Sequence, residues 1–445
     1  MAVLKKSEKR VSLRRNVMRL SMPVLLSSLL QRLVSIIDIF MVGGLGASAI
    51  AAAGLGQLLI FVVMTVFWGL STGTTVVIAH LWGGGKYQEA GRAAFVACLA
   101  CALLAIAASL LGYGFGADLA KLLGAQHDVL TFGTRYIQLV FAWFAFTAGL
   151  NVLSAIMHGI GNTRTPMAGV ILVNILHILI AYPLIYGKFG MPQLGVTGAA
   201  IAINASELIG FLYLLGQSIR RRYIAAGKPD LELFGRIWRI GYPVALERMA
   251  QQSGQLFYSK FILGYGTAAY AAHQIGLSIE SLSFMPGAGM GIAAATLMGQ
   301  SLGARKIRRA KIGHREALRL ALIVMATMAL LFLLIPGFLI GLFTSDPDVI
   351  TKGCVFLRLV AFAQVPLALS FVYAGSLRGT GDTFYVFLIT LAAMWGIRVF
   401  LSYVSAEVLH LSLYMVWGVF VLDWLFRAAA FGWRYRHRDL NQVII

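Results

Sequence analysis

Charge is what this chain has least of. Asp, Glu, Lys and Arg make up 12% of its 445 residues, against roughly 25% in soluble domains. Apolar residues make up 59%, and mean hydropathy is +0.81. No water-soluble shape hides that much apolar surface, so lipid must solvate most of the chain. Acid is the scarcer sign, with 17 Asp and Glu against 37 Lys and Arg, a net +20. In a lipid-solvated chain that excess belongs to loops on one side of a membrane, and nucleic acid is not an expected partner. Cysteine is rare as well: the three are Cys98, Cys101 and Cys354. Cys98 and Cys101 form a C-x-x-C inside AAFVACLACALLAIAA with no His or acid beside them, which reads as helix packing rather than redox or zinc chemistry. Other motifs are missing. Gly83-Gly84-Gly85-Lys86 lacks P-loop spacing, and nothing matches H-E-x-x-H or G-x-S-x-G. No catalytic residue, metal site or bound cofactor is expected, and ATP is not expected to act on this chain directly. KKSEKR and RR precede a span too long for a signal h-region, so the first span is expected to stay in the mature protein.

What is present is a series of apolar runs, each near the 20 residues that cross a bilayer. Twelve are read, at about 15–44, 47–82, 90–116, 130–158, 164–187, 196–219, 237–265, 268–302, 312–341, 350–377, 384–405 and 410–433. Lys and Arg crowd alternate connections: the N-terminus, Lys86 and Arg92, Arg164, Arg220 to Arg239, Arg305 to Lys311, Arg378, and Arg434 to Arg438. The opposite side has only Lys121, Lys188 and Lys352. The bias predicts that both termini are cytoplasmic, in an inner (cytoplasmic) cell membrane.

The chain also repeats. Sliding it by 220 residues sets Pro23-Val24 on Pro243-Val244, Gly44 and Gly46 on Gly264 and Gly266, Gly69 on Gly289, Gly83 on Gly303 and Lys86 on Lys306. Six spans per copy is an even number, so both copies enter from the same side. The expected fold is therefore all-α, with twelve transmembrane helices in two six-helix bundles related by a pseudo-two-fold axis along the membrane normal. A first lobe at 1–222, a cytoplasmic linker at 223–236 and a second lobe at 237–445 follow. A cleft between two such lobes suits a carrier of small molecules.

Charges inside spans are costly and mark function by default. Asp38 lies in RLVSIIDIFMVGG, and its counterpart in the second copy is Tyr258, so the repeat does not require a carboxylate there. It is read as a proton or cation site, with a structural hydrogen bond as the alternative. Glu247 and Glu280 are candidates for the cavity, with internal pairing as the alternative; Glu207, near Asn204 and Ser206, is a weaker one. Asp423 and Arg427 are four apart, the spacing of an intrahelical pair. His177 follows Asn174 by three residues, and Tyr136 and Asn151 add polar groups to span four. Arg32, Arg135, Arg358 and Arg398 have no partner legible in sequence.

The runs MPVLLSSLLQRLVSIIDIFMVGGLGASAIAAAGLG at 22–56 and GTAAYAAHQIGLSIESLSFMPGAGMGIAAATLMGQSLGARKIRRA at 266–310 resemble the multidrug and toxic compound extrusion (MATE) family. The resemblance extends over essentially the whole chain. It implies export of organic, often cationic, drug-like compounds in exchange for protons or sodium ions. Partners would be those small molecules and membrane lipids, with a monomeric protein. Asp38 matches the family's first-helix acid, with Pro23 at the expected helix bend. Where the family often has Asn and then Asp in span five, this chain has His177 and Ala181. Where sodium-coupled members have a span-seven Glu, it has Gln251. The pattern is similar to the DinF-like branch and points to Asp38 and His177 as proton-coupling residues. Sodium coupling is the alternative, and a lipid-linked-precursor flippase a more distant one.

Overall fold

The computed structural model describes residues 17–31, 33–34, 37–38, 41, 47–122 and 127–441, without side chains for a few positions around 47–55 and 122–132. The basic start of the chain, Arg32 and the Gly44-Gly46 turn lie outside the described residues. Everything regular among those residues is helical. That follows from the solvent: in hydrocarbon each backbone N–H and C=O must be satisfied inside its own segment.

Helix α1 covers Val17–Gln31, with helical residues recurring through Met41. It runs through Pro23 without a break in the described stretch. There follow α2 (Ala47–Gly83), α3 (Tyr87–Gly114), α4 (Gly116–Leu122), α5 (His127–Ala142), α6 (Phe144–Ile160), α7 (Arg164–Tyr186) and α8 (Val196–Arg220). The second copy has α9 (Leu231–Leu263), α10 (Thr267–Gly303), α11 (Ile307–Leu334), α12 (Pro336–Gly341), α13 (Pro347–Gly379), α14 (Thr383–Leu391), α15 (Phe400–Tyr403) and α16 (Leu413–His437). Two π-helical stretches, Ala392–Val399 and Val404–Val408, flank α15.

The 220-residue repeat reappears in these boundaries. α2 and α10, and likewise α3 and α11, start and stop 220 residues apart. Nine described helices are long and apolar enough to cross a membrane, and a bent pair makes a tenth. With α1 and the more polar α9 they account for twelve spans. The bent pair is span four: α5 and α6 meet at 50° around Trp143, where the second copy has the continuous α13.

Ends are set locally. Asp346 caps α13 by accepting from the Asp348 and Val349 amides, with Pro347 next in line. Asp230 does the same for the start of α9. By packing, Leu26–Ala245 form one compact unit; the chain up to Leu25 and from Leu246 onward forms the other. The division crosses α1 and α9 rather than the α8–α9 connection. In the unit holding the second copy, α10 and α13 cross so closely that a Cβ on Gly375 would strike the Gly291 carbonyl. Around them Tyr258, Phe356, Trp417 and Phe332 fill the core.

Candidate functional site

In the unit formed by Leu26–Ala245, polar groups converge from the α1 segment and from α5, α6, α7 and α8. Asp38 lies where α1 ends, and its Oδ1 sits 2.6 Å from Nε2 of His177 on α7. At that distance the two groups share a hydrogen bond. The His177 side chain is 5% exposed and that of Asp38 34%, so Asp38 is the wet side of the pair. Nδ1 of His177 is buried with no hydrogen-bond partner among the described residues. Tyr186, at the end of α7, donates to the Met41 carbonyl at 2.8 Å and pins the far end of the same segment.

The bend in span four supplies the next layer. At the bend the Trp143 amide turns to the Val140 carbonyl instead of Leu139's. The freed Leu139 carbonyl accepts from Asn204 Nδ2 on α8 at 2.9 Å, which satisfies a group that hydrocarbon could not. One turn further on α8, Glu207 accepts a hydrogen bond from Thr147 on α6. Asn151 donates back to the Thr147 carbonyl at 2.9 Å. Tyr136 on α5 is buried against Gly56, where a Cβ would run into its ring. Asp38, Tyr136, His177 and Glu207 are close enough to interact electrostatically. Asn174 is half-buried on α7, with its Nδ2 unpartnered. Thr147 was not singled out by sequence: it lies 60 residues from Glu207, and nothing in one dimension marks that pair.

The second copy's candidates stand differently. Glu247 on α9 accepts from Arg378 Nη2 at 2.6 and 2.9 Å, with Thr390 at 3.4 Å. Arg378, read from sequence as a loop cation, sits in the last turn of α13 and turns inward. Gln251 is half-buried on α9. Glu280 on α10 is buried, within electrostatic reach of Arg398 and Tyr258. Asp423 pairs with Arg427 at 2.8 Å, as the four-residue spacing suggested, and also with Arg398 from the π-helical stretch. Arg398 stacks over Phe420 at 4.3 Å and sits 5.7 Å from the Tyr258 ring. Arg135 and Arg358 are exposed.

A duplicated set of membrane helices with carboxylates buried inside the spans is an architecture found in membrane transporters. The comparisons with known proteins carry this to a family. The profile of the MatE family matches residues 23–183 and 243–404, and the chain belongs to that family of membrane transporters. It is 29% identical over 420 residues to the "Probable multidrug resistance protein NorM" of Thermotoga maritima, covering 94% of this chain and 90% of that one. It is 29% identical to the "Multidrug resistance protein NorM" of Burkholderia vietnamiensis, covering 85% and 84%. Among solved structures, the Vibrio cholerae MATE transporter VcmN superposes with a TM-score of 0.91 at 20% identity, over 98% of this chain and 99% of that one. A MOP superfamily transporter of Pyrococcus furiosus superposes at 0.88 with 21% identity, over 96% and 97%. The fold is that of these transporters.

Proposed function

We propose that this protein exports organic cations and amphipathic drugs in exchange for protons, with Asp38 and His177 as the coupling pair. The observation that carries the reading is the 2.6 Å contact between Asp38 Oδ1 and His177 Nε2. Imidazole and carboxylate both carry exchangeable protons, so such a pair can take up and release one. A proton arriving at the wetter Asp38 weakens its hold on His177 and so alters how the end of α1 meets α7. A cationic substrate drawn to the same acidic surroundings, Glu207 included, competes with that proton, and competition for one charge balance is antiport.

Export by this chain is inferred from the named relatives, several of which are called multidrug resistance proteins. The proton assignment rests on the donor set. Imidazole is a poor sodium ligand, and Ala181 brings no second carboxylate beside His177. The reading includes lobes at 1–222 and 237–445 joined by 223–236, a bend at Pro23, a monomer, and both termini on the cytoplasmic side of the cell membrane. The test is drug transport in sealed vesicles, with a pH gradient without sodium set against a sodium gradient at equal pH. Transport driven by the pH gradient alone is expected; transport driven only by sodium would overturn the proton assignment.

A further inference from the structure

α3 and α11 repeat each other residue for residue in extent, yet their charge does not repeat. Over residues 85–99 the first copy has Lys86 and Arg92 against Glu89, a net +1 (2 − 1). Over residues 305–319 the second has Arg305, Lys306, Arg308, Arg309, Lys311, Arg315 and Arg319 against Glu316, a net +6 (7 − 1). The first copy shows that the fold builds this helix without the extra charge.

The placement of the charge is ordered. Arg308, Lys311, Arg315 and Arg319 are spaced three, four and four residues apart, which aligns them on one helix face, and all four are exposed. The face then turns apolar, with Ile323, Leu330 and Leu334 exposed further along. Beside the junction is a shallow surface hollow of about 310 Å³ lined by Glu316, Arg319, Leu320, Leu322 and Ile323. Few carboxylates face this ladder. Glu316 meets Arg319 at 3.2 Å. Asp439, beyond the end of α16, lies within reach of Lys311. Its carboxyl is held below the usual range, first by the Asn441 amide groups that donate to it. Arg308 and Arg315 form no ion pair among the described residues.

We propose that this face of α11 docks an anionic phospholipid, with its phosphate against Arg315 and Arg319 and an acyl chain along Ile323 and Leu330. Charge complementarity selects the headgroup, and the change from cationic to apolar along one stripe matches an amphipathic partner. Setting membrane orientation uses Arg308 and Lys311 at the span end but leaves Arg315 and Arg319, further along α11, unaccounted for. Orientation is read from charges near span ends, whereas Arg319 is twelve residues into α11, about 18 Å along its axis. Long basic side chains at that depth reach back to the headgroup layer.

The test is native mass spectrometry of the full-length protein released from micelles containing equal phosphatidylglycerol and phosphatidylcholine of matched chains. The wild type is expected to retain phosphatidylglycerol by about tenfold, the order that one or two interfacial cations supply. R315Q/R319Q should bring retention close to parity, and R308Q/K311Q, which keeps the Glu316 pair, should lower it in the same direction. R220Q/R221Q/R222Q removes three charges elsewhere and should leave retention unchanged. No preference in the wild type, or equal loss in the last variant, would overturn the site. Full displacement by glycerol phosphate would also overturn it, by showing a headgroup pocket that needs no acyl chain.

Discussion

In the first copy of the repeat Asp38 faces an imidazole and Glu207 a hydroxyl. In the second, Glu247 faces Arg378, while Asp423 faces both Arg398 and Arg427. The scaffold is shared and the chemistry is not. Where the repeat sets Tyr258 against Asp38, the second copy has a phenol donating to the Val416 carbonyl at 3.2 Å, with a guanidinium over its ring. A guanidinium does not give up its proton at any accessible pH, so a pair built on one offers no proton from that side. An imidazole or a hydroxyl imposes no such restriction. On the proposed reading the first copy is the one that exchanges protons, while the second copy's Glu247 and Asp423 are held in ion pairs. Glu280, buried without an ion pair among the described residues, is the second copy's one carboxylate that could break this contrast.

The largest effect is expected at the first site. Asp38→Asn keeps the size and part of the hydrogen bonding but cannot titrate, so gradient-driven drug transport in vesicles should fall to background with the protein still folded in the membrane. Full transport in that variant would reduce Asp38 to a structural residue. Next comes the fixed network. Asp423→Asn leaves two buried guanidiniums without a carboxylate, and breaking a buried pair in this way costs about 3–5 kcal/mol. Thermal unfolding in detergent should show a marked drop in midpoint; an unchanged midpoint would mean the network contributes nothing to folding. Smaller again, Glu207→Gln removes an ionisable carboxyl but keeps an acceptor for Thr147. Binding of a cationic drug should weaken by about tenfold, or 1.4 kcal/mol, while that of a neutral one holds. Equal weakening of both would point to a packing role.

Much of the scaffold was legible because lipid leaves few choices. Runs of apolar residues had to be helices, and the ungapped match of Pro23, Gly69, Gly83 and Lys86 to residues 220 further on announced paired elements whose boundaries recur at that offset. α9 was read as the apolar run at 237–265, although Glu232, Arg236, Arg239, Glu247 and Arg248 dilute its hydropathy, and the repeat supported it. The bend at Trp143 was not legible: no proline marks it, and it is stabilised from outside the segment by Asn204. The π-helical stretches around α15 were equally silent, because widening a turn changes hydrogen bonding without changing composition. At the candidate site, residue types were readable and partnerships were not. The i,i+4 pair of Asp423 and Arg427 lies within one helix, whereas Arg398, 25 residues away, and the Glu247–Arg378 contact, spanning 131, depend on tertiary packing.

The contrast between the copies is tested most directly by counting the protons released when a cationic drug binds to the purified protein, using a pH-sensitive dye in weakly buffered detergent. The wild type should release protons on binding, Asp38→Asn should release none, and Glu280→Gln should match the wild type. Release that survives in Asp38→Asn and disappears in Glu280→Gln would place proton exchange in the second copy and contradict the account.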